Sequence, residues 1–154
     1  MLWVTTKKLR IARAATAWLV RRFLDPEATF RFVDEPEVRA LEEREGAIGF
    51  HATGARYPKV NARGQTAFEA LVEERCADDP ALVAMAKIVH DADRGGGGGD
   101  EAPEAAGLRM ITVSFPEVCP DDHAIIEGSR LLYDALYHTL SKRARARPPA
   151  SSVG

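Results

Sequence analysis

Within its first 50 residues the chain alternates between short β-branched or aromatic runs and amphipathic stretches, and this alternation limits the fold more than any other feature. Leu2 to Thr6 reads as a strand. Ile11, Ala14, Ala15, Trp18, Leu19 and Phe23 then recur at the spacing of one helix face. Asp25-Pro26 ends that helix, because proline disfavours helical geometry in the residue before it. Thr29 to Val33 alternates as a strand. Pro36 opens a helix over Glu37 to Glu45, Gly46 closes it, and Ala47 to Phe50 is a third short strand. Two such crossover units predict an α/β fold with a small three-stranded parallel sheet flanked by helices. Its strand ends would face the loops after Thr6, Val33 and Phe50, the edge where open parallel sheets bind ligands.

The remainder predicts a mainly helical C-terminal half. Residues 51–63 form a polar loop, and a helix from about Gln65 carries Phe68, Leu71 and Val72 on one face. Asp79-Pro80 is a cap followed by a first-position proline, with Leu82, Met85, Ala86 and Val89 at helical spacing behind it. The run Gly95 to Gly99 predicts a flexible loop over about 94–102; it lacks the lysine and Ser/Thr of a phosphate loop. Leu108, Ile111, Phe115 and Val118 fit a helix. Ile111 to Phe115 also alternates like a strand, and the helix is preferred. Asp121 and Asp122 mark the start of a last helix running through Ile125, Ser129, Leu132, Leu136 and Leu140. The expected organisation is one domain over 1–141 and a disordered basic tail over 142–154.

A chain of 154 residues fits one such domain and buries roughly 70% of its unfolded surface, enough for a core of its own. A net charge of −2 excludes a globally basic nucleic-acid binder while allowing a local basic stripe. Cys76 and Cys119 form no CxxC pair and suit a reducing compartment. The N-terminus lacks a signal-peptide apolar region, and no run approaches the ~18 apolar residues of a membrane span, so the expected location is the cytoplasm.

Two groups of residues could carry chemistry. Arg10, Arg13 and Arg21 lie roughly on one stripe of the first helix, which begins just after a strand. Guanidinium charge beside a helix amino end suits an oxyanion, whereas the plainer alternative is a solvated helix face. His90 and Asp93 are neighbours on a helix, and a carboxylate beside an imidazole can orient it for proton transfer or metal ligation. His90, Asp91 and Asp93, with Glu104 and Asp122 as further oxygen ligands, make a candidate divalent-metal set; the alternative is capping and helix-start acids. The two thiols and the pair Tyr133 and Tyr137 read as packing groups, and the cations Lys142, Arg143, Arg145 and Arg147 as a solubilising end.

Trp18 to Pro26 (WLVRRFLDP) resembles the "PWLIRRFIDP" segment of ChrB-type chromate resistance proteins. Similar segments follow in order: Phe30 to Val33, Gly46 to Phe50, Phe68-Glu69, Ile88 to Asp93, Pro103 to Leu108, Pro120 to His123 and Leu132 to Tyr137. Together they span residues 3 to about 140. The family's His-x-Asp-Arg-x-x-Cys-Pro-Trp corresponds here to Arg10, Ala12, Arg13, Thr16, Ala17 and Trp18, of which only Arg13 and Trp18 match. The family's Phe-Asp becomes Phe50-His51, and an expected histidine and cysteine become Lys59 and Thr66. The resemblance implies a bacterial protein tied to chromate or related stress, acting beside or upstream of an exporter. The regulators of that family carry an additional N-terminal helical region; its absence from this sequence gives the expectation that this chain alone does not contact nucleic acid.

Three functional readings follow. The first is an oxyanion-binding accessory or sensing module, with Arg10 and Arg13 toward the anion and His90 and Asp93 lining the same cleft. The second is a metal-assisted enzyme built on the His90 cluster. The third is a divergent scaffold acting through a protein partner.

Overall fold

The computed structural model describes residues 1–95 and 99–147. Strand β1 (Leu2–Thr6) lies at the centre of a three-stranded parallel sheet, between β2 (Thr29–Val33) and β3 (Ile48–Gly49). Leu2 pairs with Thr29 and Thr6 with Val33 on one side, and Trp3 pairs with Ile48 on the other. Helix α1 (Ile11–Leu19) and the π-helical turn that continues it (Val20–Leu24) make the first crossover, and α2 (Glu35–Glu45) makes the second. Gly46 closes α2 in the left-handed conformation at φ +66°, as its position in the sequence predicts.

Strand alternation divides the sheet between two cores. Val4 and Val33 face α2 and pack with Val38 and Leu41. Trp3 and Phe30 face the other way into the main core, with α1 and the helices that follow. The approach of α2 to β3 is close enough that a Cβ on Gly49 would lie 2.7 Å from a Val38 methyl, so this short strand requires glycine. The Glu42 carboxylate accepts the Gly49 N–H at 2.8 Å and the Arg56 N–H at 3.0 Å, fixing the sheet edge to the helix.

The second half is helical: α3 (Ala67–Arg75), α4 (Pro80–Arg94), α5 (Ala105–Thr112), α6 (Phe115–Val118) and α7 (Asp122–Ala146). The Asp79 side chain accepts the Ala81 and Leu82 N–H groups, and Thr66 with Glu69 forms a capping box for α3. Residues 105–118 are helical apart from a short turn, which resolves the helix-or-strand ambiguity of that stretch. Helix α7 continues to Ala146, beyond the residue-141 boundary read from the sequence, because Lys142 to Ala146 contains only good helix formers and favourable last-turn cations. Residues 148–154 of the expected tail and 96–98 of the expected glycine loop lie outside the described residues. Among the described residues no helix is long and apolar enough to cross a membrane.

Candidate functional site

Strand β1 ends at Thr6, and its chain turns through Lys7 to Arg10 into α1. Arg13, one turn into α1, donates to the Thr6 carbonyl (3.0 Å), the Thr6 hydroxyl (2.5 Å), the Lys7 carbonyl (2.7 Å) and the Lys8 carbonyl (3.0 Å). From the other side Asp122, at the start of α7, accepts the Lys8 N–H at 3.0 Å and the Leu9 N–H at 2.7 Å. Arg13 therefore fixes the turn's carbonyls and Asp122 its amides, which holds Lys8 at φ +64°. Burial, with Arg10 adding, pulls the Arg13 guanidinium below its ordinary pKa.

Above this turn lies a cleft of about 400 Å³, lined by Thr6, Arg10, Arg13, His51, Lys59, Asp93 and Arg94, with Ile11 and Ala12 of the α1 amino end. It occupies the carboxyl edge of the parallel strands, where ligands bind in open α/β sheets. His51 follows β3 directly, is 8% exposed and adopts φ +52°. Histidine is among the few side chains enriched in that left-handed region. Its backbone N–H donates to Tyr57 O at 2.6 Å, while its Nδ1 is buried with no hydrogen-bond partner. Nε2 is 3.9 Å from an Asp93 oxygen, too far for a hydrogen bond. Burial first, then Arg13, Lys59 and Arg94, push the imidazole down to about 3, so it is neutral at physiological pH.

Asp93 is the one carboxylate lining the cleft, and among the described residues no donor reaches it. Burial raises its pKa; Arg94, Arg13, His90 and Arg10 oppose that rise. Lys59 is shared with Glu35 at 3.3 Å. Glu35 also accepts the Thr53 N–H at 2.7 Å and is held at about 2, Thr53 being the larger cause and Lys59 the smaller. Arg10 and Arg94 are exposed and, among the described residues, have no ion-pair partner. The cleft thus pairs free cations at its rim with a neutral imidazole and an unpaired carboxylate below.

Of the residues singled out from the sequence, the structure brings Arg10, Arg13 and Asp93 together here. Arg21 lies elsewhere, paired with Glu127 at 2.8 Å and stacked over Phe30. His90 faces a groove between α3 and α4, its Nδ1 2.5 Å from Glu69. Three residues of helix rotate the side-chain direction by about 300°. Because α4 packs between α3 and α1, that rotation sends His90 to one neighbour and Asp93 to the other.

The candidate metal set is likewise dispersed. Asp91 pairs with Lys87 at 2.8 Å and accepts the Ala102 N–H, Glu104 pairs with Arg143 at 3.0 Å, and Asp122 holds the first turn. Among the described residues no three His, Cys, Asp or Glu side chains are arranged to hold a metal ion. His51, Lys59 and Arg94 are cleft residues that sequence reasoning did not select as ligands; the strand-end rule already pointed to the loop after Phe50.

A larger hollow of about 780 Å³ lies between the π-helical turn and α7. Its charges are mutually satisfied: Asp134 accepts from Trp18 Nε1 at 2.8 Å and from Arg22 at 2.6 Å, with Arg130 at 3.7 Å. Arg22 stacks over Tyr137 and Phe23 as well. The smaller cleft, with its unpaired groups, is the better candidate site.

The family model described as "ChrB, C-terminal domain" matches residues 3–140. Protein ChrB of Cupriavidus metallidurans is 33% identical over 145 residues, covering 93% of this chain and 42% of that protein. The chain therefore spans less than half the length of this relative. No solved structure matches.

Proposed function

The chain belongs to the family of ChrB C-terminal domains, and on that premise we propose that it binds a small oxyanion in the cleft at the carboxyl edge of its sheet, as an accessory or sensing component of chromate resistance. The observation that carries this reading is the convergence of unpaired Arg10 and Arg94, with Lys59, on a concave site over the amino end of α1. The Arg10 side chain makes no capping bond there, and the first helical amides favour negative charge. Guanidinium donors match tetrahedral oxyanions. Arg13 supports the site by holding the turn from Thr6 to Lys8, with its donors directed to backbone carbonyls.

A ligand that binds only the folded protein raises its melting temperature by mass action. Chromate or phosphate is expected to stabilise the tag-free protein in a saturable way at moderate salt. The double variant Arg10→Ala/Arg94→Ala is expected to melt like wild type without anion and to lose the anion-dependent rise. An undiminished rise in that variant would place the binding elsewhere.

A further inference from the structure

We propose that Asp93 couples anion binding in this cleft to the uptake of a proton, so that the cleft holds a fully deprotonated oxyanion more tightly as pH falls; this rests on the oxyanion reading above. Asp93 is the one carboxylate among the lining residues, and it shares the cleft with Arg10 and Arg94. An anion drawn in by those arginines comes to rest beside a like charge. The groups around Asp93 do not remove that charge by pairing. Arg94 adjoins it and His90 lies a turn back on α4; Arg10 and Arg13 face it from α1, and His51 and Lys59 from the loop after β3. Arg13 directs its N–H groups to the Thr6, Lys7 and Lys8 carbonyls, His90 turns to Glu69, and Lys59 is shared with Glu35. His51 is uncharged, and its Nε2 remains 3.9 Å away. From α5, Arg109 donates to the Asp91 and Ala92 carbonyls and pairs with Glu101. From α7, Asp122 is occupied by the Lys8 and Leu9 amides.

A proton on Asp93 relieves the repulsion without moving any of these groups. The side chain is 20% exposed, which leaves it open to exchange with water, and burial of the remainder already favours its neutral form. Two unit charges about 7 Å apart at an effective dielectric near 20 shift an equilibrium by roughly tenfold to 10²-fold. Exposure and salt place Asp93 at the lower end of that range. With an anion bound, the pKa of Asp93 lies above its value in the empty cleft, so binding takes up a proton between those two values. The gain in affinity is complete below the empty-cleft pKa and is lost as pH rises through the bound-state one. At neutral pH the carboxylate holds the affinity down. The proton belongs to Asp93 and not to the ligand, so chromate and sulfate gain from it as hydrogen phosphate does.

The test is calorimetric titration of the full chain with sodium sulfate, which itself takes up no proton, at about pH 8 and about pH 5 in pairs of buffers that differ in ionisation heat. Wild type is expected to bind sulfate severalfold more tightly at the lower pH and to take up roughly half a proton per sulfate there. Asp93→Asn, neutral at both pH values, should bind sulfate about tenfold more tightly than wild type at the higher pH. Its two affinities should agree within about twofold, with no proton taken up. Proton uptake that persists in Asp93→Asn, or an affinity in wild type that ignores pH, would overturn the coupling while leaving anion binding at the cleft intact. Sulfate that binds neither protein at either pH overturns the coupling too, and the chromate melting test then judges the oxyanion reading by itself. Melting curves at both pH values confirm that the variants are folded; if Asp93→Asn does not fold, Asp93→Ser carries the same expectations.

Discussion

The two ends of the first helix both carry two arginines, and they use them in opposite ways. At the C-terminal end, Arg21 and Arg22 are saturated: each has a carboxylate, Glu127 or Asp134, and each lies over an aromatic ring. Trp18, Phe23, Tyr133 and Tyr137 pack there at ring separations of 5.1 to 6.0 Å. At the N-terminal end Arg13 is committed to backbone carbonyls, and Arg10 has no carboxylate partner among the described residues. Local sequence does not distinguish these ends, since all four arginines fall on one amphipathic segment. What differs is the surroundings: one end meets Glu127, Asp134 and the tyrosines of α7, whereas at the other Asp122 of α7 takes backbone amides and Arg10 is left beside the open edge of the sheet. The saturated end builds the core, and the unsaturated end faces the cleft.

If that division holds, the largest stability loss should come from the saturated end. Trp18→Ala is expected to cost about 3–5 kcal/mol in urea unfolding, because it removes a buried indole and leaves Asp134 without its Nε1 donor. A loss under about 1 kcal/mol would mean that this cluster does not anchor the helix.

The cleft end should show itself in acid. The ordinary pKa of His51 is 6.5 and the folded protein holds it to about 3, so the unfolded chain takes the proton first. Its contribution is fully present above 6.5 and is lost as pH falls from 6.5 toward 3. The cost reaches about 2 kcal/mol by roughly pH 5, a figure that holds for any folded pKa well below that pH. His51→Asn should flatten this upper acid limb and leave the carboxylate-driven loss at lower pH, where Glu35 titrates at about 2. An unchanged limb would show that the imidazole is not buried neutral.

Arg13→Lys is expected to cost about 1–2 kcal/mol, since an ammonium cannot span three successive carbonyls as a guanidinium fork does. Anion affinity should fall with it as the turn loosens. Smallest of all, Arg21→Ala should change stability by less than about 1 kcal/mol, its ion pair with Glu127 being exposed. A greater loss at Arg21 than at Arg13 would reverse the comparison.

The elements were legible in the sequence because their signals are local. Strand alternation, Pro36 and Gly46 around α2, and Asp79-Pro80 ahead of α4 each act within a few residues. The capping box of Thr66 and Glu69 was equally local. The cleft was only half legible. Arg10 and Arg13 announce themselves by following a strand, but the surroundings of Asp93 depend on how α4 is rotated against α1 and α3. Spacing along one helix cannot give that angle, so it places His90 and Asp93 together although they face different helices. The role of Asp122 was hidden for a similar reason: its partners are the amides of Lys8 and Leu9, at the other end of the sequence.

That last link bears on when the site can exist at all. A ribosome releases the chain from its N-terminus, so the sheet and α1 can form while most of the helical half is unmade. The turn from Lys8 to Leu9 receives its acceptor only after Asp122 has emerged, and a contact of such long range forms late because of its closure entropy. A nascent chain would therefore acquire the sheet and α1 first, and a fully held turn beneath the cleft only once the start of α7 has been made.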